Sequence, residues 1–425
     1  MSRTIFRNGT VLTAEGPVNA DVEVAEGAVV AIGAVASVGD DVRELDCDGL
    51  WVGPGFVDIH THLREPGHEY KEDTESASRV AAAGGYTSIV AMPNTDPVID
   101  SGHLVRYTIE RGREVGLLEV ASAGCVTAGR AGEKLAHLDD LWAAGVRMFT
   151  DDGDVVADAG LLRRAMEYLA QLGGVVAQHA IDPGLARGGH MHEGPVASGL
   201  GMYAIPSAAE TVVVARDIEL VRLTGCNYHV QHISAAPTVE LVAAAKQEGL
   251  PVTAEVTPHH LAFTDGDVGA TDPAFKMMPP LRSEADRTAL VAGLKSGVID
   301  VVATDHAPHA DHEKDVPFEH APNGVIGLEW AAAVVNDRVG LDPVRFFEAM
   351  SVKPAAIARI AGQGHWLAAG APANVTVFDP NGITEVQHSR SKSRNAPYFG
   401  RQYAGAVTYT MYAGAMTYEE SGVLV

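Results

Sequence analysis

The sequence predicts an α/β protein: a (β/α)8 barrel of the TIM type with a small β-sandwich domain built from both chain termini. Three observations predict it. From Pro54 onward, eight apolar runs each end in a polar cluster and each lead into an Ala- or Leu-rich amphipathic stretch. The first run ends in His-Thr-His (60–62), where an open nucleotide-binding sheet would carry a glycine fingerprint. Before residue 54 and after about residue 365 the alternation is replaced by short β-like runs between Gly, Asn, Asp and Pro turn signals.

In order, Thr4–Phe6, Ala20–Val24, Ala28–Ile32 and Val42–Asp46 are β-like, and no helix of useful length fits between them. The barrel strands are expected at Gly55–His60, Thr87–Met92, Leu118–Gly124, Val146–Thr150, Val175–His179, Tyr228–Ile233, Val252–Val256 and Val301–Thr304. Helical patterns follow them, among them Thr74–Ala83, Leu161–Leu172, Ala208–Leu223, Thr238–Gln247 and Glu284–Leu294. Gly84-Gly85 and Gly173-Gly174 close helices before the next strand. Ala373–Phe378 and Ala406–Met411 are strands again. The expected division is 1–53 and 366–425 for the two parts of the sandwich and 54–365 for a metal-dependent catalytic barrel.

The 425 residues are 46% hydrophobic and 20% charged, the balance of an ordinary globular protein, which excludes a disordered or fibrous chain. The net charge is −24, from 31 basic and 55 acidic residues. So acidic a chain argues against nucleic acid or an anionic membrane as partner. A small anionic substrate would need local positive charge. Cys47, Cys125 and Cys226 are far apart with no CxxC pair, and are expected to be buried thiols in a reducing compartment. The first residues lack the apolar core of a signal peptide, and no stretch approaches ~18 consecutive apolar residues. The expectation is a soluble, cytoplasmic protein.

A barrel of this type builds its active site at the C-terminal ends of its strands. Strand one ends in Asp58-Ile59-His60-Thr61-His62, strand four in Asp151-Asp152, strand five in His179, strand six in His232 and strand eight in Asp305-His306. Residues i and i+2 of a strand point the same way, so His60 and His62 can serve one ion. Taken singly, His179 and His232 also read as ordinary hydrogen-bonded histidines, and Asp151-Asp152 as a turn or cap. Together, four histidines and two aspartates exceed one open tetrahedral site. They suit two divalent ions about 3.5–4 Å apart that share a carboxylate. His259-His260, at the end of strand seven, reads as packing or as support for the ligands. His190, His192, His312 and His320 fall in loops and read as solvated.

The runs GFVDIHTHLREPGHEYKED (55–73), MPNTDP (92–97), KMMPPLR (276–282), TDHAPHA (304–310) with Glu313-Lys314, PFEHAPNGVIGLE (317–329) and GAPANVTVFDP (370–380) resemble the bacterial class I dihydroorotases of the amidohydrolase superfamily. The resemblance covers nearly the whole chain. It implies a distorted barrel with two Zn²⁺ ions per subunit and reversible hydrolysis of dihydroorotate to N-carbamoyl-aspartate in pyrimidine (UMP) biosynthesis. His60, His62 and Asp305 would hold one ion, His179 and His232 the other, and Asp152 would reach both. His62, Arg64, Asn94 and His309 would bind the substrate, Gly324 would meet the ring through its backbone, and Asp305 would carry the proton. A homodimer and a complex with aspartate transcarbamoylase are the partners implied.

Hydantoinases and allantoinases, the alternative cyclic amidases, bridge their metals with a carboxylated lysine on strand four. Here strand four reads VRMFTDDG (146–153), without lysine. Asp152 carries the same charge on a shorter arm. A catalytically silent scaffold subunit of aspartate transcarbamoylase is the other alternative, and the presence of all six ligand types speaks for an enzyme. Arg64 could instead pair with Glu65 or Glu69 at the surface. Two positions depart from the family: Met278 stands where an asparagine is common, and Asn323 where a bulkier residue is. Residues 310–323 lack periodicity and are expected to form a lid.

Overall fold

The structure, a computed structural model, describes residues 3–36, 42–269, 271–419 and 422–424. Eight parallel strands form the barrel: Phe56–Thr61, Tyr86–Ala91, Glu119–Ser122, Met148–Phe149, Val175–Gln178, Asn227–Val230, Val252–Val256 and Val301–Val302. Strands one to three pair in order, as do strands four to eight. Parallel bridges Gly124–Phe149 and Thr61–His306 join the two groups at both seams, so the sheet closes. Parallel strands covered on both faces give near-continuous apolar runs, which is why each one was visible in the sequence. Helices follow where the periodicity places them, at Thr74–Ala83, Ala159–Leu172, Ala208–Thr224, Ala236–Gln247 and Glu284–Ser296.

The seam between strands one and eight is held by side chains as well as backbone. The buried Asp58 carboxylate accepts hydrogen bonds from the Thr304 hydroxyl (2.5 Å), the Thr304 amide (3.2 Å) and the His60 amide (3.0 Å). Burial pushes its pKa up to about 7, and those hydrogen bonds hold it from going higher. Asp58 thus fixes the two strand ends that carry His60 and Asp305.

The chain ends build one nine-stranded sheet. Arg3–Thr13 pairs with Gly16–Ala25 on one side and lies parallel to Val42–Asp46 and Trp51–Pro54 on the other. Trp51–Pro54 pairs with Val375–Glu385, which pairs in turn with Gln402–Tyr412. The edge strand Ala28–Gly33 curls back onto residues 370–373 through Val29 and Gly370. Phe6, Val22, Val52, Val375 and Met411 therefore share one apolar core. Cys47, Cys125 and Cys226 are buried free thiols. No helix among the described residues is long and apolar enough to cross a membrane.

Candidate metal centre

The six side chains singled out as ligands leave five strand ends and converge, all buried, on one cavity. Asp152 is central. Its Oδ1 lies 3.4 Å from His60 Nε2, 3.5 Å from His179 Nδ1 and 3.7 Å from His232 Nε2, and its Oδ2 lies 3.5 Å from His62 Nε2. Asp305 Oδ1 is 2.9 Å from His62 Nε2 and 3.6 Å from His60 Nε2. Ligand atoms at ~2.0–2.1 Å from a tetrahedral ion stand roughly 3.3–3.4 Å apart. The donor spacing therefore fits a divalent metal. Three overlapping triads, His60/His62/Asp152, Asp152/His179/His232 and His60/His232/Asp305, each have ligand atoms within 4.8 Å of one another.

Outer partners set which nitrogen faces the cavity. His60 Nδ1 lies 2.5 Å from Glu255 Oε1, leaving Nε2 buried with no hydrogen-bond partner. His62 Nδ1 lies 2.8 Å from Asn94 Oδ1, again turning Nε2 inward. Such carboxylate and amide partners fix the tautomer of a metal-binding imidazole. Burial pushes His62 and His179 down, toward the neutral form that coordinates a metal. Burial opposes the charged forms of Asp152 and Asp305, yet the neighbouring imidazoles, His60 first, hold both below the usual carboxylate range. His60 itself is raised well above an ordinary histidine: burial works against its charge, but Glu255, Asp152 and Asp305 outweigh it. The cavity holds surplus negative charge around one imidazole, which is the electrostatic condition for binding a cation. Asp305 (φ +44°) and His232 (φ +30°) occupy the left-handed region that side chains rarely adopt, so the surrounding structure holds both in place.

The metal cavity opens into a cleft of about 280 Å³ whose wall includes His62, Arg64, Asn94, His309 and Gly324, the five expected substrate contacts. Arg64 is buried and donates Nε to the Pro308 carbonyl (3.0 Å), which leaves the two terminal nitrogens of its fork for a ligand. Glu65 turns instead to Arg111 (2.9 Å) and Tyr107 (2.8 Å), and Glu69 accepts from the Gly67 amide. Asn94 spends its oxygen on His62 and keeps its amide nitrogen for the cleft. His309 Nε2 lies 2.9 Å from the Asn323 carbonyl, and its buried Nδ1 makes no hydrogen bond but stands 3.6 Å from Glu313 Oε2. Gly324 sits at φ +139°, and a Cβ there would stand 2.9 Å from the Ala307 carbonyl oxygen. Its N–H is committed to the Lys276 carbonyl (3.0 Å), so any backbone contact to a ring falls to its own carbonyl.

Several residues of the site escaped the sequence reading. Glu255 binds His60, His229 Nε2 (3.0 Å) and the His232 amide (3.0 Å), and so ties strand one to strand six. A carboxylate inside the apolar strand VTAEV was its signal. Arg130 lines the cleft and holds the Asp151 carbonyl (3.2 Å) and the Asp154 carboxylate (2.6 Å), on either side of Asp152. Asn395 bonds the His309 amide (3.0 Å) and the Ala307 and Gly324 carbonyls (2.9 and 3.0 Å). Nothing local marks either residue. One expectation is corrected. His192 is buried rather than solvated, because it forms the short strand Met191–His192 and lies 3.4 Å from the buried Arg282. His306 points away from the cavity, toward Glu72 (3.4 Å). His259 is buried with both ring nitrogens unpartnered, and His260 bonds Thr257 and the Pro279 carbonyl.

Glu255→Gln keeps the volume and removes the charge behind His60. Metal affinity is expected to fall roughly 10–100-fold, the usual cost of losing such an outer partner. Competition against a zinc chelator measures it, and unchanged affinity would remove Glu255 from the centre.

A dihydro-orotase-like family model matches residues 49–237. The dihydroorotase of Mycobacterium bovis is 45% identical over 405 residues, covering 93% of this chain and 94% of its own. That of Streptomyces coelicolor is 44% identical over 425 residues, covering 98% of each. Among solved structures, an L-hydantoinase (dihydropyrimidinase) from Arthrobacter aurescens superposes with a TM-score of 0.89 at 26% identity, over 100% of this chain and 98% of that one. A dihydropyrimidinase from Brevibacillus agri, at 24% identity and TM-score 0.83, shares the fold. The barrel is thus shared with the hydantoinase and dihydropyrimidinase structures, while near-full-length identity in the mid-forties to dihydroorotases decides between them: the chain belongs to the dihydroorotase family.

Proposed function

We propose that this cyclic amide hydrolase opens the ring of dihydroorotate reversibly to N-carbamoyl-aspartate, on the route to UMP, with two zinc ions held by His60, His62, Asp152, His179, His232 and Asp305. The observation that carries the reading is Asp152, whose two oxygens lie within 3.7 Å of four imidazole nitrogens at the mouth of a cleft that contains Arg64. The proposal extends to residues 54–365 as the catalytic unit between the sheet-forming ends 1–53 and 366–425. It also includes a cytoplasmic location, a homodimer and association with aspartate transcarbamoylase.

When bound, divalent ions in such a cage supply Lewis acidity, lowering the pKa of a water and polarising a carbonyl. The chain does the rest. Arg64 presents its free fork to the substrate carboxylate, a bidentate match that orients the ring. Asn94 adds an N–H on the same side, and His309, kept neutral chiefly by burial and by the Arg64 charge, offers an acceptor at Nδ1. Asp305 is an anion at neutral pH and can take a proton from the attacking water at Oδ. It returns that proton to the ring nitrogen as the C–N bond breaks. Water is thereby added across the amide, OH to carbon and H to nitrogen. The reverse reaction runs through the same groups.

Zinc content measured together with turnover tests the reading. Two zinc ions per chain, with turnover of dihydroorotate and not of hydantoin, are expected of the isolated protein. Preference for hydantoin would return it to the other cyclic amidases, and a silent protein to a scaffold. Met278 packs toward Ile181, Ile205 and Ala209 and offers the cleft no hydrogen bond. Met278→Asn is expected to lower KM for dihydroorotate roughly 2- to 12-fold, the equivalent of one neutral hydrogen bond of ~0.5–1.5 kcal/mol. An unchanged KM would show that the ring makes no contact there.

A further inference from the structure

Lys314 belongs to a motif that the chemistry above leaves unused. It is buried, and among the described residues it makes no ion pair. Its Nζ instead donates to three backbone carbonyls, those of Pro273 (2.9 Å), Lys276 (3.1 Å) and Pro322 (2.8 Å). These acceptors lie on two loops that line the cleft. One loop leads to Met278, and the other to Asn323 and Gly324. Lys276 reciprocates, donating its Nζ to the Glu319 carbonyl (2.9 Å) and accepting from the Gly324 amide (3.0 Å).

The donor count matters here. An ammonium has three N–H bonds, and all three are used. A neutral amine has two and a lone pair, which would have to face a carbonyl oxygen. The clamp is therefore complete only when Lys314 is charged.

We propose that Lys314 is a positioning residue: as an ammonium it clamps the 307–324 loop onto the 273–278 loop, and so sets substrate affinity without touching substrate or metal. The proposal rests on the reading of the cleft as the substrate site.

The clamp should be sensitive to pH. Burial, then the neighbouring Lys276 charge, push Lys314 down to about 7, against the opposing pull of Asp272 and Glu313. Glu313 faces it from its own short helix, Asp311–Lys314, and is itself shared with Lys71 (2.8 Å) and with His309 Nδ1 (3.6 Å), whose imidazole the Lys314 charge helps to keep neutral. Asp272 and Lys276 face it from the other loop. The charged form dominates below that value and is lost as pH rises through it. If only the clamped state binds, KM scales with the inverse of the clamped fraction, approaching ~tenfold per pH unit above the pKa.

The test is steady-state kinetics of the zinc-loaded protein with dihydroorotate from about pH 6.5 to about 9, paired with hydrogen exchange of the 311–322 amides, corrected for intrinsic rates, without substrate. Expected are a KM that rises roughly tenfold or more while kcat holds, and protection of 311–322 that falls over the same interval. Lys314→Gln should show the high KM at every pH, with kcat and zinc content preserved. Lys314→Arg, charged throughout but planar, should lose the pH dependence of KM. A wild-type KM flat across the range, or loop protection independent of pH, overturns the clamp, and neither measurement requires a variant to fold. Falling protection with no turnover of dihydroorotate would uphold the clamp and overturn the substrate reading alone.

Discussion

Asp305→Ala is expected to retain the fold and lose turnover by at least roughly 10²–10⁴-fold, the contribution of one well-placed proton carrier. The fold should survive because the end of strand eight hangs on Thr304, whose amide and hydroxyl bond Asp58, and not on the Asp305 side chain. Asp305 also stands 2.9 Å from His62 Nε2 within the proposed metal cage, so the alanine variant removes one proposed ligand as well, and zinc content must be measured alongside kcat. The decisive result is kcat at matched zinc occupancy. A variant that keeps both ions and most of its turnover would remove Asp305 as the proton carrier, and one of the buried histidines would have to take its place. Circular dichroism and the melting temperature check that the loss is chemical rather than structural.

The second large effect is metal removal. Dialysis against a chelator is expected to reduce turnover to background, and zinc to restore it. Without a cation, Asp152, Asp305 and Glu255 crowd around His60, whose protonation relieves only part of that charge. The metal-free protein should therefore remain folded but melt lower. A ligand present at ~100 times its dissociation constant stabilises by about 2.7 kcal/mol, which is a shift of a few degrees in a chain of this size. The barrel itself should persist, since its seams are closed by backbone bridges at Gly124–Phe149 and Thr61–His306 and by the Asp58–Thr304 contact, none of which needs an ion. A chelator-treated protein, free of metal and still fully active, would end the metal reading and with it the roles given to all six ligands.

His60 and His62 were legible because side-chain direction along a strand repeats every two residues, and because five apolar runs ended in residues of ligand type. Asp151 and Asp152 were not separable on that basis alone. Asp151 turns away to accept the Val126 and Thr127 amides (2.8 and 3.0 Å) and ties down the neighbouring loop, while Asp152 enters the cavity. Glu255 could have been suspected from its place inside an apolar strand, but nothing in the chain said that its partner would be His60, 195 residues earlier. Asn395 lies in a segment where the sequence promised only the terminal sheet. The lid expected at 310–323 contains the buried Lys314, a residue that reads as a surface charge until its three carbonyl acceptors are seen.

The sequence by itself determined the barrel, the terminal β-structure, the family, and the residues that could bind a metal. These depend on period, composition and motif, which are properties of consecutive residues. Only the tertiary structure decided which nitrogen each histidine turns inward, which carboxylate stands behind His60, and what holds the cleft wall in place. The reason is that a buried polar group must find its partner among whatever neighbours barrel closure supplies, and those neighbours are chosen by the packing of distant strands and loops rather than by adjacency along the chain.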